Sequence, residues 1–143
     1  MVLPEWSSQL SIGLKPVDDN HQLLFKLLHI IHAEATYSGE GMVALLTALL
    51  TLSMCHFRCE EDWMTRLAFA GTALHKEEHD AFVARVTSYR TAFMKGEAVN
   101  KGLVFFLESW MVQHFCSTNK EFRIFLLQNG YVTNRPGKVV LDI

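Results

Sequence analysis

The sequence predicts an all-α fold: an up-down-up-down antiparallel four-helix bundle with an N-terminal arm and a short C-terminal helix or tail. Three observations predict it. Four stretches place apolar residues at the three- and four-residue spacing of a single helix face. The connections between them are short, which makes sequence neighbours antiparallel. Strand-like patterning is confined to the tail, at Val139-Val140-Leu141, whose conformation the sequence leaves open. With 143 residues the chain is long enough for one domain with a real core and short for two. Residues 1–143 are therefore expected to form a single domain: arm 1–17, bundle about 18–128, tail 129–143.

In the arm, Pro4, Gly13 and Pro16 interrupt any helical period, while Trp6, Leu10, Ile12 and Leu14 offer apolar groups to lay across the bundle. The first helix is expected from Asp18 or Asp19, since an acidic residue there can cap free N–H groups and suits the positive helix end. It runs to about residue 37 and stops at Ser38-Gly39, with His21, Leu24, Leu28 and His32 on one face. His32 lies about 16 Å along the axis from His21, too far to share a metal. His29 and His32 are read as surface or hydrogen-bonded core residues.

The second helix is expected over about 42–67, with Leu49, Leu52, His56, Glu60, Trp63 and Leu67 in its inward stripe. The third covers about 72–95 and ends at Gly96, a natural residue to follow a helix; His75, His79, Phe82, Val86, Tyr89 and Phe93 share its face. The fourth begins at Asn100 or Lys101 and reaches at least Phe115, carrying Leu103, Leu107, Trp110, Met111 and His114 inward. Residues 120–127 continue it or form a short fifth helix, Asn129-Gly130 ends it, and Pro136-Gly137 marks a turn in the tail.

Composition narrows the function classes. The net charge is −2, and no basic patch points to nucleic acid. No uninterrupted run of about 20 apolar residues suggests a membrane span, and the first residues lack a charged stretch followed by an apolar one. A cytoplasmic protein without nucleic-acid or membrane partners is expected, as a monomer or weak homo-oligomer. Three cysteines, an odd number without framework spacing, fit reduced thiols.

The chemistry lies in the polar residues placed on the apolar faces. His56 and Glu60 are four apart, as are His75 and His79, so each pair shares a face about 6 Å apart along the axis. Burying an imidazole or carboxylate among apolar groups costs several kcal/mol, roughly, unless something pairs with it. A metal ion is one answer and an internal hydrogen-bond network is another. Five histidines and a carboxylate, spread over four helices, weigh against simple hydrogen-bonded core residues.

Collected in order, the set His21, His56 with Glu60, His75 with His79, and His114 resembles the hemerythrin family in its bacterial form. The local words agree: Asp18-Asp19-Asn20-His21, His56-Phe57 through Glu60-Glu61 with Met64, His75-Lys76-Glu77-Glu78-His79 with Phe82, and Trp110 before His114. The likeness covers about residues 6–125. It implies two iron ions in the bundle core. His75, His79 and His114 would hold one, His21 and His56 the other, and Glu60 would bridge them with an oxo or hydroxo group. The two-histidine iron would keep an open position where dioxygen binds end-on and is reduced to hydroperoxide. Imidazoles and carboxylates suit iron on chemical grounds as well. An apolar shell of Leu24, Leu28, Trp63, Phe82, Trp110 and Met111 would exclude water.

One position departs from the family pattern. A second bridging carboxylate is expected five residues after His114, and the sequence has Asn119. Five residues on a regular helix turn the side chain about 140° away, so that arrangement needs a local distortion. Asn119 brings a carbonyl oxygen but no charge. Three outcomes are open: a di-iron site with one carboxylate bridge, a mono-iron site on His75, His79 and His114 with the two-histidine iron bound weakly, or a solvent ligand that fills the gap and opens the site to turnover. Glu121 lies too far along a straight helix to substitute. Cys55, Cys59 and Cys116 are read as small core residues, with thiol redox sensing or metal ligation as the alternative.

The resemblance thus implies a non-enzymatic protein that binds dioxygen reversibly for storage, delivery or sensing. The alternative class is an oxidase or a peroxide or nitric oxide reductase, with the site opened by Asn119. Ferritin-like oxidases are carboxylate-rich with Glu-x-x-His pairs, unlike this histidine-rich set. A zinc peptidase is disfavoured because Lys76 stands where its catalytic glutamate belongs.

Overall fold

The computed structural model describes residues 3–133, and these form the expected bundle. After a 3-10 turn at Ser8–Leu10 come α1 (Lys15–Tyr37), α2 (Met42–Arg66), α3 (Thr72–Met94) and α4 (Asn100–Gln113). A π turn, His114–Thr118, joins α4 to α5 (Asn119–Gln128), which continues the fourth rod. Helix α2 packs between α1 and α3, and α1 also packs on α4. Helices α3 and α4 meet through large side chains, Phe82 against Trp110 at 4.1 Å and Tyr89 against Phe106 at 5.9 Å.

The first helix begins earlier than expected, at Lys15, and the arm is correspondingly shorter. Pro16 falls in the opening turn, where its missing N–H has no helical partner to lose. Asp18 does not cap this helix. Its buried carboxylate instead accepts the Ile12 N–H at 2.9 Å and the Gly13 N–H at 3.2 Å, fastening the arm to α1. Ile12 and Leu14 are consequently buried, and Trp6 packs edge-on against Phe25. Gly96 follows the third helix with φ +74°, the left-handed conformation that lets the chain turn without a Cβ clash. The tail segment carrying Pro136-Gly137 and Val139-Val140-Leu141 lies outside the described residues.

By length and composition α2 is apolar enough to cross a membrane, contrary to the reading of its sequence as having no such stretch. Its inward face, with Leu46, Leu49, Ser53, His56, Phe57 and Glu60, is buried in the bundle. That face accounts for part of its apolar content as a core helix.

The core is divided into two apolar clusters. The larger holds Leu24, Leu28, Leu49, Phe57, Phe82, Val86, Leu107 and Met111. The smaller holds Ile12, Leu14, Val17, Met64, Phe122 and Leu126. Along each of three rods the polar residues lie between members of the two clusters: His21 between Val17 and Leu24, Glu60 between Phe57 and Met64, and Asn119 between Phe115 and Phe122. The bundle therefore contains one polar layer with an apolar ceiling and an apolar floor.

Candidate metal centre

All seven residues singled out from the sequence meet in that layer, and none exposes more than 3% of its surface. Helix α1 supplies His21, α2 supplies His56 and Glu60, and α3 supplies His75 and His79. His114 and Asn119 stand at the two ends of the π turn. The turn is closed by the Asn119 N–H donating to the His114 carbonyl, five residues back. A π turn brings residues five apart onto one face, so the distortion expected from the spacing is present.

Ligand-type atoms converge in two groups that share Glu60. In one, atoms of Glu60, His75, His79 and His114 lie within 4.8 Å of one another; in the other, atoms of His21, His56 and Glu60 do. The two Glu60 oxygens face different ways. Oε2 lies 3.2 Å from His75 Nε2 and 3.1 Å from His79 Nε2, whereas Oε1 lies 3.5 Å from His21 Nε2.

Protonation suits cation binding. Burial, reinforced by His21, holds His56 well below its ordinary value, and burial brings His114 down to about 4. Their imidazoles are neutral near pH 7, the form that offers a lone pair. Burial acts to raise Glu60, but the imidazoles of His21, His75 and His79 outweigh it and hold the carboxyl well below the usual range.

A cation's fit can be tested on the polar atoms left over. Buried polar atoms almost always find hydrogen-bond partners. Here His56 Nε2, His79 Nε2, His114 Nε2, Glu60 Oε1 and Asn119 Oδ1 have none. These are donor atoms for a metal, on the residues that form the cage. A hydrogen-bond network does not account for them; a divalent cation ligated by nitrogen and oxygen does.

Glu61, Glu78, Thr118 and Phe115 contribute as well, with no role expected for them from the sequence, and Trp110 does so as a shell residue. The His79 Nδ1–H donates to Glu61 at 2.8 Å and the His114 Nδ1–H to Glu78 at 2.6 Å. Each carboxylate fixes its ring so that the Nε2 lone pair faces the centre. Thr118 Oγ1 donates in turn to Glu78 Oε1 at 3.1 Å. Burial raises Glu78, but its hydrogen bond from His114 brings it below the ordinary value. Phe57 stacks on His79, 3.8 Å between centroids and nearly parallel, Trp110 stacks on His114, and Phe115 meets His21 edge-on. Glu61 and Glu78 each adjoin a ligand in sequence, which was the available signal.

Two expectations are corrected. Trp63 is half-buried and packs with the floor cluster around Met64, beneath Arg66, rather than closing the layer. Cys55 and Cys116 are exposed, so neither is core filler, whereas Cys59 is half-buried and packs against the floor cluster. Each lies one or two positions from a ligand, and rotation of about 100° per residue carries it outward. His29 and His32 lie outside the centre as expected, bonded to the Pro4 carbonyl and to Glu108, each at 3.0 Å.

Comparison with known proteins agrees with this geometry. Residues 13–123 match the family model of the hemerythrin HHE cation binding domain. The chain is 30% identical over 115 residues to a bacteriohemerythrin of Stenotrophomonas maltophilia, covering 80% of this chain and 75% of that one. It is 29% identical to the bacteriohemerythrin of Methylococcus capsulatus, covering 84% and 94%. A solved wild-type hemerythrin superposes with a TM-score of 0.75 at 28% identity, covering 86% of this chain and 97% of the other.

Proposed function

The chain belongs to the hemerythrin family of iron-binding domains, and from that premise we propose that it binds dioxygen reversibly at a histidine-rich centre of up to two iron ions. The observation that carries the reading is the buried layer of five imidazoles and one carboxylate in which Nε2 of His56, His79 and His114 and Oε1 of Glu60 lack protein hydrogen-bond partners. His75, His79 and His114 would hold one ion, His21 and His56 the other, and Glu60 would lend one oxygen to each. Iron held there would supply the electrons for binding dioxygen.

The protein residues do the rest. Glu61 and Glu78 keep His79 and His114 aimed and raise their basicity. Leu24, Phe57 and Met111 above the layer, with Val17, Met64 and Phe122 below, keep water and protons away, which favours release of dioxygen unchanged. A histidine-rich, carboxylate-poor set also favours reversible binding over oxidase chemistry.

Absorbance of the ferrous protein under alternating oxygen and argon tests the proposal. The expected result is colour that rises with oxygen and falls on purging over several cycles. Steady consumption of peroxide or nitric oxide without reversible colour would replace it with an enzymatic reading, for which neutral Asn119 offers the opening. A colourless protein that retains only zinc would defeat both.

A further inference from the structure

We infer that the centre comprises two unequal cation positions, and that Asn119 sets the inequality by hydrogen-bonding His21 when only the first position is filled. This rests on the metal-binding reading above.

The two positions differ in charge and in support. The first draws on His75, His79, His114 and Glu60, with Glu61 and Glu78 directly behind two of the rings. The second draws on His21, His56 and the other Glu60 oxygen. His21 Nδ1 and His56 Nδ1 have no hydrogen-bond partner, so no carboxylate aims or polarises either ring. Glu60 is thus the one charge facing the second position among these contacts, and it is shared. Bringing two dications together needs negative charge to offset their repulsion, and Asn119 adds none.

Asn119 does something a carboxylate at the same place could not. Its Nδ2 lies 3.3 Å from His21 Nε2, so the amide N–H donates to the imidazole lone pair. This occupies the atom that would otherwise bind the second ion. A buried acceptor is satisfied and the one-ion form is stabilised. Entry of a second ion must break this bond and turn the amide so that Oδ1, which has no partner, faces inward. An aspartate has no N–H to donate, so Asn119→Asp removes the stand-in and supplies the missing charge together.

The test is titration of the metal-free full chain with cobalt(II), followed by calorimetry and by visible absorption. The wild type should take up one equivalent tightly and a second at least about tenfold more weakly. Asn119→Asp should narrow the gap to about threefold or less. The His21→Gln, His56→Gln double variant should lose the second step and keep the first, which holds the test open if Asn119→Asp misfolds. Two equivalents bound in one step by the wild type would overturn the inference and leave the metal-binding reading intact. So would an unchanged gap in folded Asn119→Asp. Absence of any uptake would overturn both.

Discussion

The two halves of the polar layer are built on different principles. Among His75, His79 and His114 two of the three rings are held from behind: Glu61 takes the Nδ1–H of His79, Glu78 that of His114, and Thr118 steadies Glu78. Around His21 and His56 the Nδ1 atoms are unpartnered, and the ring of His21 is bounded by Trp6 and Phe115. One half is fixed by charge-assisted hydrogen bonds, the other by apolar packing. Hydrogen bonds to a ligand fix direction and raise basicity, whereas packing excludes water and leaves direction less constrained. The same layer can thus grip a cation on one side and leave the other side adaptable.

The largest expected effect comes from removing groups that serve the gripping half or both halves. Replacing His75 and His79 together by alanine should abolish tight loading, read as iron per chain after gel filtration. Glu60→Gln should lose the second ion and weaken the first by about 100-fold or more, since the one carboxylate facing both groups is gone. Retention of full iron in either variant would erase the distinction drawn here.

Next come the supports. Glu61→Gln and Glu78→Gln should each weaken the first step by about 10- to 100-fold in a metal titration. Substitutions at Glu61 and Glu78 should leave the second step less affected, because neither residue touches His21 or His56. Equal losses in both steps would show that the halves are coupled through more than Glu60.

Acid should destabilise the metal-free protein by a similar order of effect. His114 takes up a proton near pH 4 when folded and near 6.5 when unfolded, so the unfolded chain binds protons first as pH falls. This contribution is complete above about pH 6.5 and is lost on descent towards pH 4, by about 3 kcal/mol for that residue. The depressed values of His56 and Glu60 act in the same direction. Denaturant midpoints of the metal-free protein across this range give the measurement, and a flat profile would contradict the burial argument.

The smallest effect is expected at the thiols. Cys55→Ser and Cys116→Ser alter exposed side chains outside the layer, and should change stability by about 0.5 kcal/mol or less. Metal loading should be unchanged.

Much of the ligand set was legible because it obeys local geometry. His56 with Glu60 and His75 with His79 follow helical spacing on faces that are otherwise apolar, and a face buries or exposes its residues together. The distortion between His114 and Asn119 was legible for the converse reason: a five-residue interval cannot share a regular helix face. Groups that depend on how two helices meet were less legible. Whether Glu61 on α2 reaches His79 on α3 depends on the axial register of the helices, which neither sequence stretch reveals. The early start at Lys15 was obscured because Pro16, read as a breaker, is well suited to a first turn. Asp18 was read as a cap for its own helix and instead takes N–H groups from the arm, a long-range choice that local propensity does not encode.

The most direct measurement of the central claim is anomalous diffraction at the iron edge from crystals of the iron-loaded protein. The account predicts a strong peak among His75, His79, His114 and Glu60, and a weaker one beside His21 and His56. Iron located elsewhere, or a layer whose imidazoles face one another with no peak between them, would contradict it.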